Sequence, residues 1–472
     1  MTAPGSKPSP ALRFLPRVDD IMARLKAESP HTGGVLTQAA ARQAIAEQRQ
    51  RLLDGSEDGE VSEVREQVLQ RARDILRSAT YSTPRRVING TGIIVHTGLG
   101  RSLLSRAASE AVTQVAVSHC ALEVDVETGE RGQRDTAVAA LLRQITGCED
   151  ATVCNNCAGA TLLALNTLAQ GHEVICARGE LVEIGGGFRM PEVMQQSGAR
   201  LHEVGCTNKT RISDYADAIN ETSGALLKVH TSNYRVVGFT AEATLAELVQ
   251  LGQERGLPVI EDLGSGVLVD LRPFGLQGEP RVQDSVATGA DVVCFSGDKL
   301  LGGPQCGILC GRAETIARIR KNSLMRALRV DKFTLAALEA TLRHYRDEAE
   351  AWREVPTLNA IATPLEAVKK RAQKLHRLLR DACGNPPTAQ LQAVASTAQA
   401  GAGALPTQTL PSFAIATTPP HLSLEEFAHR LRISDPSIWG RIHEGAFWLD
   451  CRTLRDEELN ECVGAIAQIY HG

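Results

Sequence analysis

Short apolar runs alternate with helical stretches between about residues 86 and 335, and this alternation limits the fold more than any other feature of the sequence. Each run has the length of a buried strand, and the stretches between runs can hold a covering helix. Strands that alternate with helices form mainly parallel sheets with helices on both faces. The sequence therefore predicts an α/β fold. The runs span residues 92–95, 122–126, 151–154, 173–176, 201–204, 225–230, 257–260, 291–295 and 307–310.

The flanks of this region have different patterns. Residues 1–85 carry apolar residues at helical spacing in three segments, which predicts a separate N-terminal helical domain. Residues 86–335 are predicted to form the large domain, and residues 336–472 a small α+β C-terminal domain that ends in an amphipathic helix. Residues 383–411 are rich in Pro, Ala, Gly, Thr and Gln, so we interpret them as loops with a weak strand, outside the packed core.

The composition is that of an ordinary globular protein, because 43% of the 472 residues are hydrophobic and 22% are charged. A formal net charge of −4 argues against general binding of polyanions, so any contact with nucleic acid has to come from a local patch. No apolar run reaches the length of about 18 residues that suggests a membrane helix. The first ten residues lack the apolar core of a signal peptide. We expect a cytoplasmic enzyme that has no membrane partner.

One lysine is distinguished by its surroundings. Lys299 lies in the polar turn Ser296-Gly297-Asp298-Lys299, after the apolar run 291–295 and before a Gly-Gly-Pro loop. Asp262 ends an earlier apolar run and also precedes glycines. A lysine amine can form a Schiff base with pyridoxal phosphate, and a carboxylate can keep the pyridine nitrogen of that cofactor protonated. We predict Lys299 and Asp262 as catalytic and cofactor-binding residues, with Ser296 beside them, although a lone lysine in a turn is more often a solvated surface residue.

A phosphate site is expected before the aspartate and the lysine in the sequence. The small residues Asn156, Cys157, Ala158 and Gly159 follow the run 151–154 and open a helix. The N–H groups at the start of a helix bind anions, so this turn is our candidate for the cofactor phosphate. Small residues at such a turn also serve packing alone. His230, at the end of another run, is a candidate contact for the cofactor ring or its 3-hydroxyl, although a histidine there is more often structural.

Three arginines lie close to these segments in the sequence. Arg101 follows an early strand, and Arg326 and Arg329 come after the lysine loop. A spacing of three residues on a helix would place Arg326 and Arg329 on one face, where they could bind a tetrahedral oxyanion. A pair of exposed arginines with carboxylate partners is the competing interpretation.

The twelve cysteines are scattered along the chain. The nearest pairs, Cys154/Cys157 and Cys306/Cys310, are about 150 residues apart, which does not fit a zinc ribbon. We interpret most of these cysteines as reduced core residues and predict no metal site.

Taken together, these segments resemble bacterial selenocysteine synthase, the family of L-seryl-tRNA(Sec) selenium transferases. The most specific segment is Phe295-Ser-Gly-Asp-Lys-Leu-Leu-Gly-Gly-Pro-Gln305, and the resemblance runs from about residue 12 to the C-terminus. Two positions depart from the family pattern. Cys157 stands where the family usually has an asparagine, and Cys206 replaces a threonine. The other segments that carry the resemblance are residues 89–101, 178–186, 228–234, 262–266, 326–329, 440–443 and 447–450.

The resemblance implies a fold-type I enzyme dependent on pyridoxal phosphate, with a mainly parallel seven-stranded sheet and Lys299 as the Schiff-base lysine. It implies conversion of L-seryl-tRNA(Sec) to L-selenocysteinyl-tRNA(Sec), by elimination of water through an aminoacrylyl-tRNA intermediate and addition of selenium from selenophosphate. It further implies that Arg101, Arg326 and Arg329 bind the phosphate of selenophosphate and that Asp298 assists catalysis. The N-terminal domain would bind the tRNA, in a homodecamer built as a pentamer of dimers.

Two other functions stay open on the sequence alone. One is a pyridoxal phosphate-dependent lyase or aldolase that acts on a small amino acid or an amino sugar acid; the N-terminal helical domain and the Arg326/Arg329 pair argue against it. The other is a tRNA-binding protein without catalytic activity, against which the intact Lys299 and Asp262 argue.

Overall fold

A computed structural model describes residues 10–28, 32–54, 61–80, 84–387 and 390–471. The chain divides into two compact units, Met1–Arg86 and Val87–Gly472. Among the described residues, no helix is long and apolar enough to cross a membrane. All twelve cysteines are free thiols, and nine of them are buried.

The first unit is helical, as its apolar spacing predicts. After a short 3-10 turn at Pro10–Phe14, it consists of α1 (Val18–Glu28), α2 (Gly34–Leu53) and α3 (Val61–Thr80). Alanines at helical spacing on α2 allow close packing against the larger side chains of its neighbours. Residues 55–59 begin and end with glycine, which predicts a loop, and they lie outside the described residues. The buried core of this unit is Ile21, Leu25, Ala40, Ala41, Ala44, Val68, Leu69, Ala72 and Leu76.

Part of the arginine-rich face of α3 is neutralised within the unit. Arg71 binds Glu47 at 2.6 Å, and Arg73 binds Glu28 at 2.7 Å and Glu66 at 3.0 Å. The pKa of Arg73 is raised by its hydrogen bond to Glu28. These contacts are typical of a solvated helix face with ion pairs.

The second unit contains all the strands of the described chain. They are β1 (Val87–Asn89), β2 (Ile93–Val95), β3 (Asp150–Cys154), β4 (Glu173–Ala177), β5 (Glu183–Ile184), β6 (Phe188–Arg189), β7 (Arg200–Val204), β8 (Ser223–Val229), β9 (Val259–Gly264), β10 (Val292–Ser296), β11 (Gly307–Gly311), β12 (Leu391–Gly401), β13 (Leu410–Thr417), β14 (Ser437–Trp439), β15 (Arg441–His443) and β16 (Ala446–Asp450).

The α-helices of the second unit follow the same chain order. They are α4 (Arg106–Ala116), α5 (Thr136–Thr146), α6 (Cys157–Ala169), α7 (Met190–Gln196), α8 (Ile212–Ala218), α9 (Leu245–Arg255), α10 (Val282–Thr288), α11 (Ala313–Lys321), α12 (Leu324–Leu328), α13 (Lys332–His344), α14 (Glu348–Glu354), α15 (Pro356–Ala362), α16 (Leu365–Ala382), α17 (Leu424–Ile433) and α18 (Leu459–His471).

The main sheet has seven strands in the order β3-β11-β10-β9-β8-β4-β7. Only β11 runs antiparallel to its neighbours, so the predicted mainly parallel α/β sheet is confirmed. Every residue of β10 is buried, as expected for a central strand that is covered on both faces. The carboxyl ends of β3, β8, β9 and β10 lie at one edge, which we call the carboxyl edge.

The strand predicted over residues 122–126 is wrong. This segment forms one isolated bridge between Val124 and Arg131, and Val126 is 80% exposed. Its apolar alternation is interrupted by Asp125, whose Oδ1 accepts hydrogen bonds from the N–H groups of Glu127 and Thr128, both at 2.9 Å. A side chain that binds the backbone in this way favours a turn over a strand.

The prediction for residues 383–411 is also wrong in part, because β12 is a long strand inside a sheet. The five-stranded sheet has the order β15-β16-β13-β12-β2, and β12 pairs with β13 over eight residues. Its small and polar side chains hide the strand pattern in the sequence, although Ala398 and Ala400 are buried. The early strands β1 and β2 pair with β14 and β12. The division of this unit at residue 335 stays a prediction.

Candidate active site

The carboxyl edge of the seven-stranded sheet brings together the residues that the sequence places far apart. Asp262, near the end of β9, is in register with Val229 of β8 and with Cys294 of β10. His230 follows β8, and Lys299 follows β10 by three residues. In open parallel sheets, ligands bind outside the carboxyl ends of the strands. The edge is therefore the candidate site.

Lys299 is held in a tightly packed turn and is only 8% exposed. The N–H of Gly297 donates to the carbonyl of Cys306 at 2.9 Å, and the N–H of Gly303 donates to the carbonyl of Gly297 at 2.8 Å. A Cβ atom on Gly297 would lie 2.4 Å from Sγ of Cys306, so only glycine fits there. A Cβ on Gly264, whose φ is +74°, would lie 3.8 Å from Nζ of Lys299. The amine therefore lies beside bare backbone, with space left for a ligand.

Asp262 is the buried carboxylate of this site, near the end of β9. The Sγ atom of Cys157 is 3.6 Å from its Oδ1, a hydrogen-bond contact with the thiol as donor. Burial raises the pKa of Asp262, and the positive charge of Lys299 and the thiol of Cys157 offset part of that shift. Burial also raises the pKa of the Cys157 thiol well above its usual value, and the Asp262 carboxylate adds to the rise. Ser296, at the end of β10, is buried as well.

The turn before α6 has the structure that the phosphate prediction requires. Asn156 is the N-cap of α6, and its Oδ1 accepts a hydrogen bond from the N–H of Gly159 at 2.8 Å. The N–H groups of Cys157 and Ala158, in the first turn, have no intrahelical acceptor. The N–H of Asn155 donates to the carbonyl of Leu328 at 2.8 Å, which joins this turn to α12. The helix N-terminus is thus fixed and suited to an anion.

Arg101 is joined to the lysine loop. Its guanidinium binds Oδ2 of Asp298 at 2.9 Å, and the N–H of Ser102 donates to the carbonyl of Asp298 at 3.3 Å. Burial raises the pKa of Asp298, while Arg101 opposes the rise. These residues border a cavity of about 330 Å³ that opens beside the lysine loop. Its lining is Thr97, Gly100, Arg101, Ser102, Leu104, Asp298, Gly303, Pro304 and Gln305.

The short helix α12 carries Arg326, and Arg329 is its C-terminal cap, with φ of −65°. Helix α12 ends at Leu328, and Arg329 adopts an extended backbone with ψ of 141°. Both arginines are exposed, and Arg329 lies 3.6 Å from Oε1 of Glu123. They flank Leu328, whose Cδ2 would lie 3.4 Å from a Cβ on Gly159. The segment that carries both arginines therefore packs against the first turn of α6.

His230 lies where the sequence predicts it, and it has a carboxylate partner that sequence reasoning missed. Its backbone N–H donates to the carbonyl of Asp262 at 2.9 Å, and Nε2 of its ring is 3.4 Å from Oε1 of Glu279. Burial lowers the pKa of His230, but the carboxylates of Glu279 and Glu261 outweigh burial and leave the pKa raised. Glu279 stands between Gly278 and Pro280 in a loop, and no pattern in the sequence distinguishes it.

Comparisons with known proteins identify the family. Over residues 87–455, the chain matches the model of the family described as SelA: L-seryl-tRNA selenium transferase. Relatives named L-seryl-tRNA(Sec) selenium transferase include those of Carboxydothermus hydrogenoformans, 46% identical over 96% of each chain, and Solidesulfovibrio magneticus, 48% identical over 97% of each chain. The solved structure of D-glucosaminate-6-phosphate ammonia-lyase has a TM-score of 0.57 at 22% identity, and the match covers 82% of this chain and 96% of that one.

The fold and the lysine site define an α/β enzyme with its candidate site at the carboxyl edge of a seven-stranded sheet. Within that class, the extent of the family match and the identity of the relatives decide the family. The chain belongs to the L-seryl-tRNA selenium transferases, as the resemblance implied.

Proposed function

We propose that this chain converts L-seryl-tRNA(Sec) to L-selenocysteinyl-tRNA(Sec), with pyridoxal phosphate as cofactor and selenophosphate as selenium donor. The observation that carries the proposal is the buried Lys299 beside the buried Asp262, in a chain that shares 46% identity over 96% of its length with a relative of that name. The residue roles given below are proposals that rest on the described contacts.

The residues at the carboxyl edge fit pyridoxal phosphate. Asp262 is buried and has a thiol, a weak donor, at one oxygen, so it can still accept a hydrogen bond from a pyridinium nitrogen. The N-terminus of α6, at Asn156–Gly159, suits the phosphate group. Lys299 lies beside Gly264, where the absent side chain leaves space next to the amine. His230 and Ser296 complete the proposed cofactor contacts.

When bound, the cofactor supplies an electron sink that weakens the bonds at Cα and Cβ of the seryl group. Nζ of Lys299 would hold the cofactor and would serve as the general base for the Cα proton. The Asp262 carboxylate would pair with the pyridine nitrogen and keep it protonated. Asp298 holds Arg101 at the rim of the 330 Å³ cavity and so assists binding there.

We assign the phosphate of selenophosphate to Arg101, Arg326 and Arg329. Guanidinium groups bind phosphate through paired, charge-assisted hydrogen bonds. The ion pair of Arg101 with Asp298 fixes one donor, and the packing of Leu328 against α6 supports the approach of the other two. Arg329 would exchange its contact with Glu123 for the phosphate.

At a larger scale, we propose that the helical unit binds the tRNA and that the chain works in the cytoplasm as a homodecamer, a pentamer of dimers. Arg42, Arg49 and Arg65 are exposed on α2 and α3 and could bind RNA phosphates. This assignment explains why a helical unit precedes the catalytic fold.

A selenium-transfer assay tests the proposal. Purified protein would receive seryl-tRNA(Sec) and selenophosphate, with Lys299→Ala as the control. Formation of selenocysteinyl-tRNA by the wild type alone would support both the reaction and the role of Lys299. No product from a wild type that holds pyridoxal phosphate would reject the proposal and favour the lyase or aldolase on a small amino acid or amino sugar acid.

A further inference from the structure

Glu279 is a buried acid to which the proposed function assigns no role. Its side chain is 3% exposed, and its Oε1 lies 3.4 Å from Nε2 of His230. Among the described residues, Oε1 has no hydrogen-bond partner, so its contact with His230 is a close charge contact that is not aligned as a hydrogen bond. Burial of an unpaired carboxylate is costly. A nearby cation, or a small movement that aligns the two groups, would offset that cost.

His230 is fixed by its backbone at the carboxyl edge. Its backbone N–H donates to the carbonyl of Asp262 at 2.9 Å, and its backbone carbonyl accepts from the N–H of Ser232 at 2.8 Å. His230, Ser232 and Glu279 line one cavity of about 790 Å³. A Cβ on Gly264 would lie 4.0 Å from Oγ of Ser232 and 3.8 Å from Nζ of Lys299, so both side chains approach the same bare backbone. His230 thus contacts Glu279 through Nε2 and the site residue Asp262 through its backbone N–H.

The charges around His230 favour its protonated form. The carboxylates of Glu279 and Glu261 favour the charged form of the imidazole. The charge of His230 in turn opposes the rise in the pKa of Asp262. Lys228 opposes the two carboxylates, but its amine is bound by Glu180 at 2.7 Å and by Glu242 at 3.2 Å. These ion pairs weaken the effect of the Lys228 charge on the imidazole of His230.

We propose that Glu279 is a positioning residue of the cofactor site: it holds His230 at Nε2 and thereby leaves Nδ1–H to donate to the cofactor ring oxygen. This inference rests on the proposed function, because it requires pyridoxal phosphate to bind beside Asp262 and Lys299. Nδ1 has no protein hydrogen-bond partner among the described residues, so it is available for that contact. Removal of the Glu279 carboxylate should allow the imidazole of His230 to rotate and should favour its neutral form.

The test uses the full-length protein loaded with pyridoxal phosphate, with Glu279→Gln as the variant. The matched control is Glu254→Gln, since Glu254 is an exposed glutamate on α9 that does not border this cavity. We expect Glu279→Gln to raise the dissociation constant of pyridoxal phosphate roughly tenfold. We also expect the pH transition of the cofactor's visible absorption band to move up by about one unit, because loss of the imidazolium beside the ring oxygen favours the protonated form of the bound cofactor. Glu254→Gln should match the wild type in both measurements.

A double-mutant cycle and a conservative variant separate positioning from structure. If Glu279 acts through His230, its replacement has no further effect on cofactor affinity in a His230→Asn background. Glu279→Asp keeps the charge and should restore part of the affinity and the original pH transition. If Glu279→Gln lowers the melting temperature but keeps the wild-type pH transition, Glu279 is merely structural and the inference is wrong. The inference is also wrong if Glu279→Gln behaves like Glu254→Gln in both measurements. If the wild type itself binds no pyridoxal phosphate, the proposed function fails, and this inference fails with it.

Discussion

The thiol of Cys157 lies 3.6 Å from Oδ1 of Asp262, and each group changes the proton affinity of the other. Burial raises the pKa of both; the carboxylate adds to the rise at Cys157, and the thiol moderates the rise at Asp262. Cys157 therefore stays protonated at neutral pH. Its role at this site is that of a weak hydrogen-bond donor, and it is not a nucleophile.

The exchange Cys157→Asn should strengthen cofactor binding. An amide N–H is a stronger donor to a carboxylate than a thiol, so it should stabilise the ionised form of Asp262 that a pyridinium requires. We expect the dissociation constant of pyridoxal phosphate, measured by absorption titration, to fall roughly fivefold, which corresponds to about 1 kcal/mol. Cys206→Thr, at an exposed position, is the control and should leave this constant unchanged. Weaker binding by the asparagine variant would mean that the larger amide does not fit.

Glu261 should make the cofactor-free protein less stable as the pH rises. It is 4% exposed, its Oε2 has no hydrogen-bond partner among the described residues, and burial raises its pKa. A carboxyl group whose pKa is higher in the folded state stabilises the fold fully below its unfolded pKa of about 4.3, and this contribution is lost as the pH rises through the folded pKa. We expect Glu261→Gln to gain melting temperature relative to the wild type between about pH 4.5 and pH 8.

The control for this measurement is Glu254→Gln, on the exposed face of α9. Its melting temperature should follow that of the wild type at every pH. A constant difference between Glu261→Gln and the wild type over the whole range would show that ionisation of Glu261 does not affect stability.

Replacement of Arg326 or Arg329 by alanine should weaken selenophosphate binding. A hydrogen bond to a charged group contributes about 1.5–3 kcal/mol, so each change should raise KM for selenophosphate roughly tenfold or more. The visible band of the bound cofactor should be unchanged, because neither arginine contacts the proposed ring site. Arg343→Ala serves as the control, since Arg343 is exposed on α13 and paired with Glu339. A fall in kcat at constant KM would contradict the assignment.

Removal of residues 1–85 should separate tRNA binding from the cofactor site. The second compact unit begins at Val87 and contains every proposed cofactor contact. We expect the shortened protein to bind pyridoxal phosphate and show its visible band, but to form no detectable selenocysteinyl-tRNA at tRNA concentrations that saturate the full chain. Retained transfer activity would show that the helical unit does not bind the substrate.

The location of the site residues at strand ends could be predicted because their chemistry depends on short, local patterns. Lys299 and Asp262 each follow a buried apolar run, and parallel strands necessarily bring such ends to one edge. The first turn of α6 was predictable for the same reason, because small residues after a strand and before a helix suit a close approach of backbone to ligand.

Other parts of the structure depend on long-range contacts that leave no local pattern. β12 consists of small and polar residues, and its identity as a strand comes from pairing with β13 and with the distant β2. Glu279 is recognisable only because the fold places it against His230. Arg329 leaves the helix because α12 is a single short turn that ends at Leu328, an ending that its sequence does not signal.

The reversed direction of β11 has a consequence for how Lys299 can move. Because β10 and β11 are adjacent and antiparallel, with Ser296 opposite Gly307, both ends of the lysine loop are anchored in neighbouring central strands. The other site residues follow strands whose connections cross over through helices. Amide hydrogens at Gly297 and Gly303 should accordingly exchange with solvent at rates close to those of the sheet. Insertion of even one residue between the two strands would shift the amine relative to Asp262, so this loop is the part of the site least able to change in length.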